Sequence, residues 1–309
     1  MSVQDIYDTS GIRRFTRYAE RMSECAGSLV FGELKDKKGL KLVSTHFCRV
    51  RTCPVCAWRR TLALLARFYQ AFPKFAEENP DMRFIYCVLT VRNPEIYNLR
   101  STLSDMTKAW AKMRKRKVFQ FVKGWIRTTE ITKGKDGNPH PHFNLLIAVD
   151  KSYFHSRHYM NKMQWVQLWQ DCAKLDYEPS VYVTKVRKRK GKEEDGSAAG
   201  ALDAAREVFK YSVKEADLVD DPKFLLGLTR EIAGLRFFAA GGIFKDLLKV
   251  DEDGNGGEVT EDEMLGKDEE NHEKATEWRV RFSWAQGKKD RWDYWFRERF
   301  EAVNEREDE

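Results

Sequence analysis

The stretch Asn138-Pro139-His140-Pro141-His142-Phe143-Asn144-Leu145-Leu146-Ile147-Ala148-Val149 alternates like a β-strand. Successive side chains of a strand point to opposite faces, which puts His140, His142 and Asn144 on one face and Pro141, Phe143, Leu145, Ile147 and Val149 on the other. Neutral imidazole is the commonest metal ligand among side chains, and two of them on one strand face can take adjacent corners of a divalent ion. Two surface histidines beside a turn would give the same pattern, so the rest of the chain has to decide.

Upstream, Lys133-Gly-Lys-Asp-Gly-Asn-Pro139 is rich in turn residues, and Gly124-Trp-Ile-Arg-Thr-Thr-Glu-Ile-Thr132 reads as a strand. The two strands then form a hairpin, with Glu130, His140 and His142 near its loop end. Three ligands of one ion would need that geometry. Arg83–Arg92 reads as a central strand ended by Asn93-Pro94, and Ser180–Val186 as a further strand. Helical periods are read over Thr61–Phe72, closed by Pro73, and over Leu99–Val118, capped by Ser101 or Ser104. Others span Tyr159–Leu175, Ala204–Ala216 and Pro222–Phe238, with Gly241–Asp246 closing the unit. Trp165, Leu168 and Trp169 form a stripe that reads as core. The fold class expected is α+β.

The chain has 309 residues, 42% of them hydrophobic, so it can bury a real core. Six cysteines are unevenly placed, and Cys48, Cys53 and Cys56 crowd into nine residues. Cys53-Pro-Val-Cys56 has the two-residue gap of a zinc knuckle, which lets two thiolates converge on one ion. Cys25 and Cys48 would complete a closed, structural four-thiolate site, with His46 as a substitute ligand. Cys87 and Cys172 read as buried apolar residues. The N-terminus lacks the charged and apolar regions of a signal peptide, and no apolar run is long enough to span a bilayer. A cytoplasmic protein with no membrane partner is expected, whose clustered thiols bind metal rather than pair.

Net charge is +7. The basic charge concentrates at Lys108–Lys123 and Arg187–Lys192 and the acidic charge at Asp251–Glu273, a distribution that favours a polyanionic partner. Residues 251–275 read as an acidic linker or surface insertion. Asp251-x-Asp253-Gly254-Asn255 does not place its glycine where a calcium loop needs it. Beyond it, Trp278–Trp284 alternates like a strand, and Trp292, Trp295, Phe296 and Phe300 recur at helical spacing, both reading as aromatics that pack back onto the main domain. Three regions follow: 1–78, a zinc-binding module and helix; 79–250, the domain carrying the histidines; and 251–309, the linker and aromatic segment.

Glu207, Tyr211 and Lys214, spaced i, i+4 and i+7, share one helix face and present a carboxylate, a phenol and an amine together. Beside a metal site, a phenol is a plausible nucleophile toward phosphate: the cation polarises the phosphodiester, the amine stabilises developing charge and the carboxylate activates a second hydroxyl.

Four stretches in order, Phe47–Arg60, Leu89–Asn93, Gly124–Glu130 with His140–Phe143, and Glu207–Lys214, resemble the rolling-circle replication initiators of small bacterial plasmids. These belong to the His-hydrophobe-His endonuclease superfamily, in the branch with an N-terminal Cys-x4-Cys-Pro-x-Cys motif. Asn144 stands where the family often has a third histidine, and the insertions at 187–200 and 251–275 are longer than usual. The resemblance implies a central antiparallel sheet of RRM-like or palm type flanked by helices, with Mg²⁺ or Mn²⁺ held by His140, His142 and Glu130. It implies that Tyr211 attacks a phosphodiester at the double-strand origin, leaving a 5′-phosphotyrosyl link and a free 3′-hydroxyl. Glu207 would direct water in the terminating cleavage, and Lys214 would position the phosphate. Plasmid origin DNA, single-stranded or as a hairpin, is the implied partner, with a host helicase and a second copy of the chain as further candidates. A transposase or relaxase of the same superfamily, a non-catalytic zinc-dependent DNA-binding regulator and a plain metallohydrolase are the competing readings.

Overall fold

The histidine segment is β5 (Pro139–Asp150), the middle strand of a five-stranded sheet in the computed structural model, which describes residues 2–33, 40–186, 198–209, 218–247, 278–285 and 291–299. The order is β6 (Val181–Lys185), β3 (Met82–Thr90), β5, β4 (Val122–Lys133), β7 (Phe238–Gly242), and every neighbouring pair is antiparallel. The β4–β5 hairpin closes on Gly134, whose N–H donates to Asn138 O at 2.8 Å, and on Gly137 at φ +81°. That conformation suits glycine because it has no Cβ to clash.

The core explains why β5 turns apolar on both faces after Asn144. Leu145 to Val149 are fully buried. On the histidine face, α3 (Pro54–Glu78), α6 (Ala198–Val208) and α8 (Ile243–Leu247) bring Phe68, Phe72, Ala201, Ala205, Val208 and Phe244 onto Phe84, Ile126, Leu146 and Ala148. On the opposite face lie α4 (Leu99–Arg114) and α5 (Lys162–Ala173), with Trp110 edge-on to Trp125 at 5.3 Å and Trp169 against Phe143 at 6.3 Å. A strand covered on both sides loses its polar alternation. The imidazoles lie at the hairpin end of the strand, where both are half-buried.

Several boundaries differ from those read in the sequence. α3 starts at Pro54 and runs through Pro73 to Glu78. Proline costs a helix one hydrogen bond, but Phe72 and Phe75 on either side are buried, and that burial carries the helix past it. Pro73 itself is exposed. Pro73→Ala should therefore stabilise the protein by about 1–3 kcal/mol, the helix-interior penalty of proline less its effect on the unfolded chain. Chemical unfolding measures this, and a destabilised variant would mean the helix breaks there. α4 is headed by Asn98, not Ser101 or Ser104; Ser101 Oγ donates back to Asn98 O at 2.8 Å. α5 is shorter than read, because Asn161 and Gln164 form a capping box. α6 begins six residues before Ala204, at Ala198, and residues 210–216 of the helix read there lie outside the described residues. The helix opened by Pro222, α7 (Pro222–Glu231), stops well before Phe238, which instead starts β7.

A second unit groups Ser2–Cys56 with the two C-terminal strands. Its sheet runs β2 (Leu40–Thr45), β1 (Ser28–Glu33), β8 (Trp278–Ala285), β9 (Arg291–Arg299), antiparallel throughout. Residues 291–299, read at helical spacing, are a strand: aromatic residues favour strands, and pairing with β8 supplies the ladder. β8 pairs with β1, where the sequence suggested packing onto the main domain. Helices α1 (Val3–Asp8) and α2 (Arg13–Ser23) bury Val3, Ile6, Tyr7, Phe15 and Ala19, with the Tyr7 and Phe15 rings stacked at 5.4 Å. Among the described residues no helix is long and apolar enough to cross a membrane.

Candidate active site and metal centre

Strand register assembles the first site. His142 lies opposite Glu130 on β4 and Thr90 on β3, and Asn144 lies opposite Thr128 and Val88. Residues directly opposite on antiparallel strands share a face. Accordingly His142 Nε2 sits 2.9 Å from Glu130 Oε2, and Asn144 Nδ2 donates to the same oxygen at 2.9 Å. The Tyr86 hydroxyl in turn donates to Asn144 Oδ1 at 3.0 Å. The His140 and His142 ring centroids are 5.4 Å apart.

The Nδ1 atoms of both rings meet oxygens. His142 Nδ1 is 3.3 Å from the His140 carbonyl, and His140 Nδ1 is 2.7 Å from Asn93 Oδ1. Carbonyl and carboxylate oxygens both accept, so each nitrogen of His142 faces an acceptor; an ion bound at Nε2 in place of the Glu130 contact would leave the ring's proton on Nδ1, toward the His140 carbonyl. Burial first, and the neighbouring His142 second, hold the His140 imidazole below its ordinary pKa, which favours the neutral ring that binds metal. Two ligands on adjacent corners of an octahedral ion at about 2.1 Å lie roughly 3.0 Å apart. The 2.9 Å between His142 Nε2 and Glu130 Oε2 fits that spacing. Two imidazoles and a carboxylate are the donor types for an ion that shares its shell with phosphate oxygens, but here only His142 and Glu130 are in contact: among the described residues the four cysteines alone bring three or more such ligand atoms within 4.8 Å of one another.

Glu207 lies in the last turn of α6, exposed. The Thr128 hydroxyl donates to the Val208 carbonyl, fixing that end of the helix beside the Asn144–Thr128 pair. The Tyr86 phenol is pushed up, first by burial and then by the charges of Glu207 and Glu130, so both carboxylates act on one hydroxyl. Tyr211 and Lys214 lie outside the described residues.

The second site is in the N-terminal unit. Cys25, Cys48, Cys53 and Cys56 place their sulfurs within 4.8 Å of one another, and this group could hold a metal ion. Resolved pairs measure 3.6 Å (Cys25–Cys56), 3.5 Å (Cys48–Cys56) and 3.7 Å (Cys25–Cys53). A tetrahedral zinc with bonds of about 2.3 Å needs sulfurs roughly 3.8 Å apart. The fit is close. Cys56 sits in the first turn of α3, where the helix dipole favours thiolate. Ala26 and Arg49, each following a ligand cysteine, adopt left-handed backbone at φ 54° and 58°. Arg21 donates to the Cys48 carbonyl, and Cys48 N–H donates to Cys25 Sγ at 3.5 Å. His46 is exposed and outside the cluster; its carbonyl accepts from Ala26 N–H at 2.7 Å. Cys87 and Cys172 are buried and free.

Sequence reading missed Tyr86, Asn93 and Asp136. Asn93 showed as a strand terminator and as the end of the Leu89–Asn93 stretch, with no role in the site, and Asp136 as a turn residue, yet Asn93 Nδ2 donates to Asp136 Oδ1 at 2.9 Å. A polar residue just past a strand, beside a turn aspartate, was the available signal.

A family model described as replication protein matches residues 39–294. A Rep protein of Lentilactobacillus hilgardii is 34% identical over 244 residues, covering 75% of this chain and 74% of that protein. One from Lactiplantibacillus plantarum is 37% identical over 229 residues, covering 70% and 71%, and one from Bacillus amyloliquefaciens 33% over 254 residues, covering 77% and 74%. No solved structure matches significantly. With the model matching most of its length and relatives at this identity, the chain belongs to the Rep_1 family of replication proteins, the plasmid initiators that its motifs resemble.

Proposed function

We propose that this initiator is a metal-dependent nicking-closing endonuclease of His-hydrophobe-His type, acting in the cytoplasm on a single-stranded or hairpin segment of its plasmid's double-strand origin. The observation that supports this reading is the hydrogen-bonded cluster of His142, Glu130, Asn144 and Tyr86 at the hairpin end of the sheet. Tyr211 follows Phe209 by two residues in the sequence.

In this mechanism the Tyr211 oxygen forms a bond to phosphorus and the bond to the 3′-oxygen breaks. The strand is left with a 5′-phosphotyrosyl link and a 3′-hydroxyl that primes synthesis. Mg²⁺ or Mn²⁺, held by His140, His142 and Glu130, would polarise the phosphate and offset charge on the leaving oxygen. Lys214 positions the phosphate. Glu207 takes the proton of the water that cleaves the strand when replication terminates. The four cysteines hold structural zinc. A host helicase and a second copy of the chain are the remaining candidate partners.

The test incubates the protein with labelled single-stranded origin DNA and Mn²⁺, then maps any covalent adduct by peptide mass spectrometry. An adduct on Tyr211 that chelator prevents is the expected result. Binding without an adduct would favour the non-catalytic regulator, and an adduct on another residue would overturn the nucleophile assignment.

A further inference from the structure

His140 Nδ1 faces a side-chain amide, that of Asn93. Which atom of that amide it meets follows from the next contact. Asp136 is a carboxylate, which accepts but does not donate, so the Asn93 atom 2.9 Å away from it is the NH₂ group. The atom 2.7 Å from His140 Nδ1 is then the Asn93 carbonyl oxygen, and the ring must place its proton on Nδ1. In a neutral imidazole that leaves the lone pair on Nε2, pointing away from Asn93. Asp136 is itself fixed by the hairpin, accepting from Asn138 N–H at 3.2 Å.

The loop is built around this amide. A Cβ at Gly134 would lie 2.3 Å from Asn93 Nδ2 and 2.5 Å from Asp136 Oδ1, so glycine leaves the room that the Asn93–Asp136 contact needs. Asn93 is half-buried, beyond the end of β3, and belongs to a different strand connection from the hairpin it braces.

We propose that Asn93, anchored by Asp136 at the tip of the β4–β5 hairpin, is a positioning residue that fixes the tautomer and orientation of His140 for metal binding. The inference rests on the metal-site reading above. A partner on the far nitrogen of a ligating histidine selects the ring's tautomer and raises its basicity, and losing such a partner typically weakens metal binding 10- to 100-fold.

Mn²⁺ titrations of the full chain followed by electron paramagnetic resonance test it, since a hard ion leaves the thiolate site alone. Asn93→Ala should bind Mn²⁺ roughly 10- to 100-fold more weakly. The swap Asn93→Asp with Asp136→Asn keeps the charge and reverses which group donates between them, leaving an acceptor for His140, and should restore affinity to within a few-fold. Nitrogen-15 spectra of the metal-free protein should show His140 protonated on Nδ1 in the parent and the swap, with that preference lost in Asn93→Ala. If Asn93→Ala loses its fold, Gly134→Ala displaces the same amide and should weaken Mn²⁺ binding in its place. Parental affinity in folded Asn93→Ala, or a folded swap no better than it, overturns the proposal. A parent that binds no Mn²⁺ at all sinks the metal-site reading instead, which separates the two failures.

Discussion

His142→Ala is expected to lower origin nicking by a factor of roughly 10³ or more, with the fold retained. The change deletes one of the two imidazoles and removes the group 2.9 Å from Glu130 Oε2. Glu130 is not left without a donor, because Asn144 Nδ2 reaches the same oxygen. The stability cost should therefore stay near 1–3 kcal/mol, the range for one lost buried polar partner. Tyr211→Phe should also end adduct formation, but through a different loss. Mn²⁺ affinity should fall in His142→Ala and survive in Tyr211→Phe, while both variants keep binding origin DNA. Titration, denaturing gels and thermal unfolding on the same three proteins separate the cases. If His142→Ala nicks within tenfold of the parent, the histidine site is not the reaction centre.

Cys56→Ser should take the N-terminal unit's metal from one equivalent to none and unfold that unit. Cys56 is fully buried and contacts the sulfurs of Cys25 and Cys48 at 3.6 and 3.5 Å. In small zinc domains the bound ion supplies about 10–16 kcal/mol, which is comparable to or larger than the whole stability of a typical domain. Two residues in left-handed backbone, Ala26 and Arg49, each follow a cysteine of the cluster, so losing the metal also removes a constraint on them. A strong chelator should reproduce the effect on the parent, and Cys172→Ala, a buried cysteine of α5, should keep its metal. Metal analysis with amide hydrogen exchange gives the readout. Retained zinc in Cys56→Ser would remove this residue from the ligand set.

The elements that held their predicted character are those whose period and local chemistry agree. β4 and β5 carry alternation, turn residues and a polar cluster at one end, so their pairing and the approach of Glu130 to His142 follow from spacing alone. The four cysteines were legible because no other role explains three thiols in nine residues. β7 was not. Phe238-Ala-Ala-Gly-Gly looks like the end of a helix, but Gly241 is small because a Cβ there would lie 2.6 Å from the Trp125 ring across the sheet. Pro73 misled for a related reason: a local breaker is overruled when aromatic burial on both sides holds the helix. Asn93 is 47 residues from His140 and meets it and Asp136 only once the sheet is formed, so no short window of sequence could join Asn93 to His140.

The order of synthesis meets an obstacle in the four-stranded sheet. β1 leaves the ribosome early, yet its neighbour β8 follows roughly 245 residues later, a delay of some 12–50 s at bacterial elongation rates. For that interval one flank of β1 has unpaired N–H and C=O groups, the kind of edge that invites pairing with another chain. All four thiols have emerged by residue 56, so a metal ion bound by them would hold the nascent unit until its last strands arrive. Expression in metal-depleted cells should therefore favour aggregates over soluble initiator, even though the missing strands come from the far end of the gene.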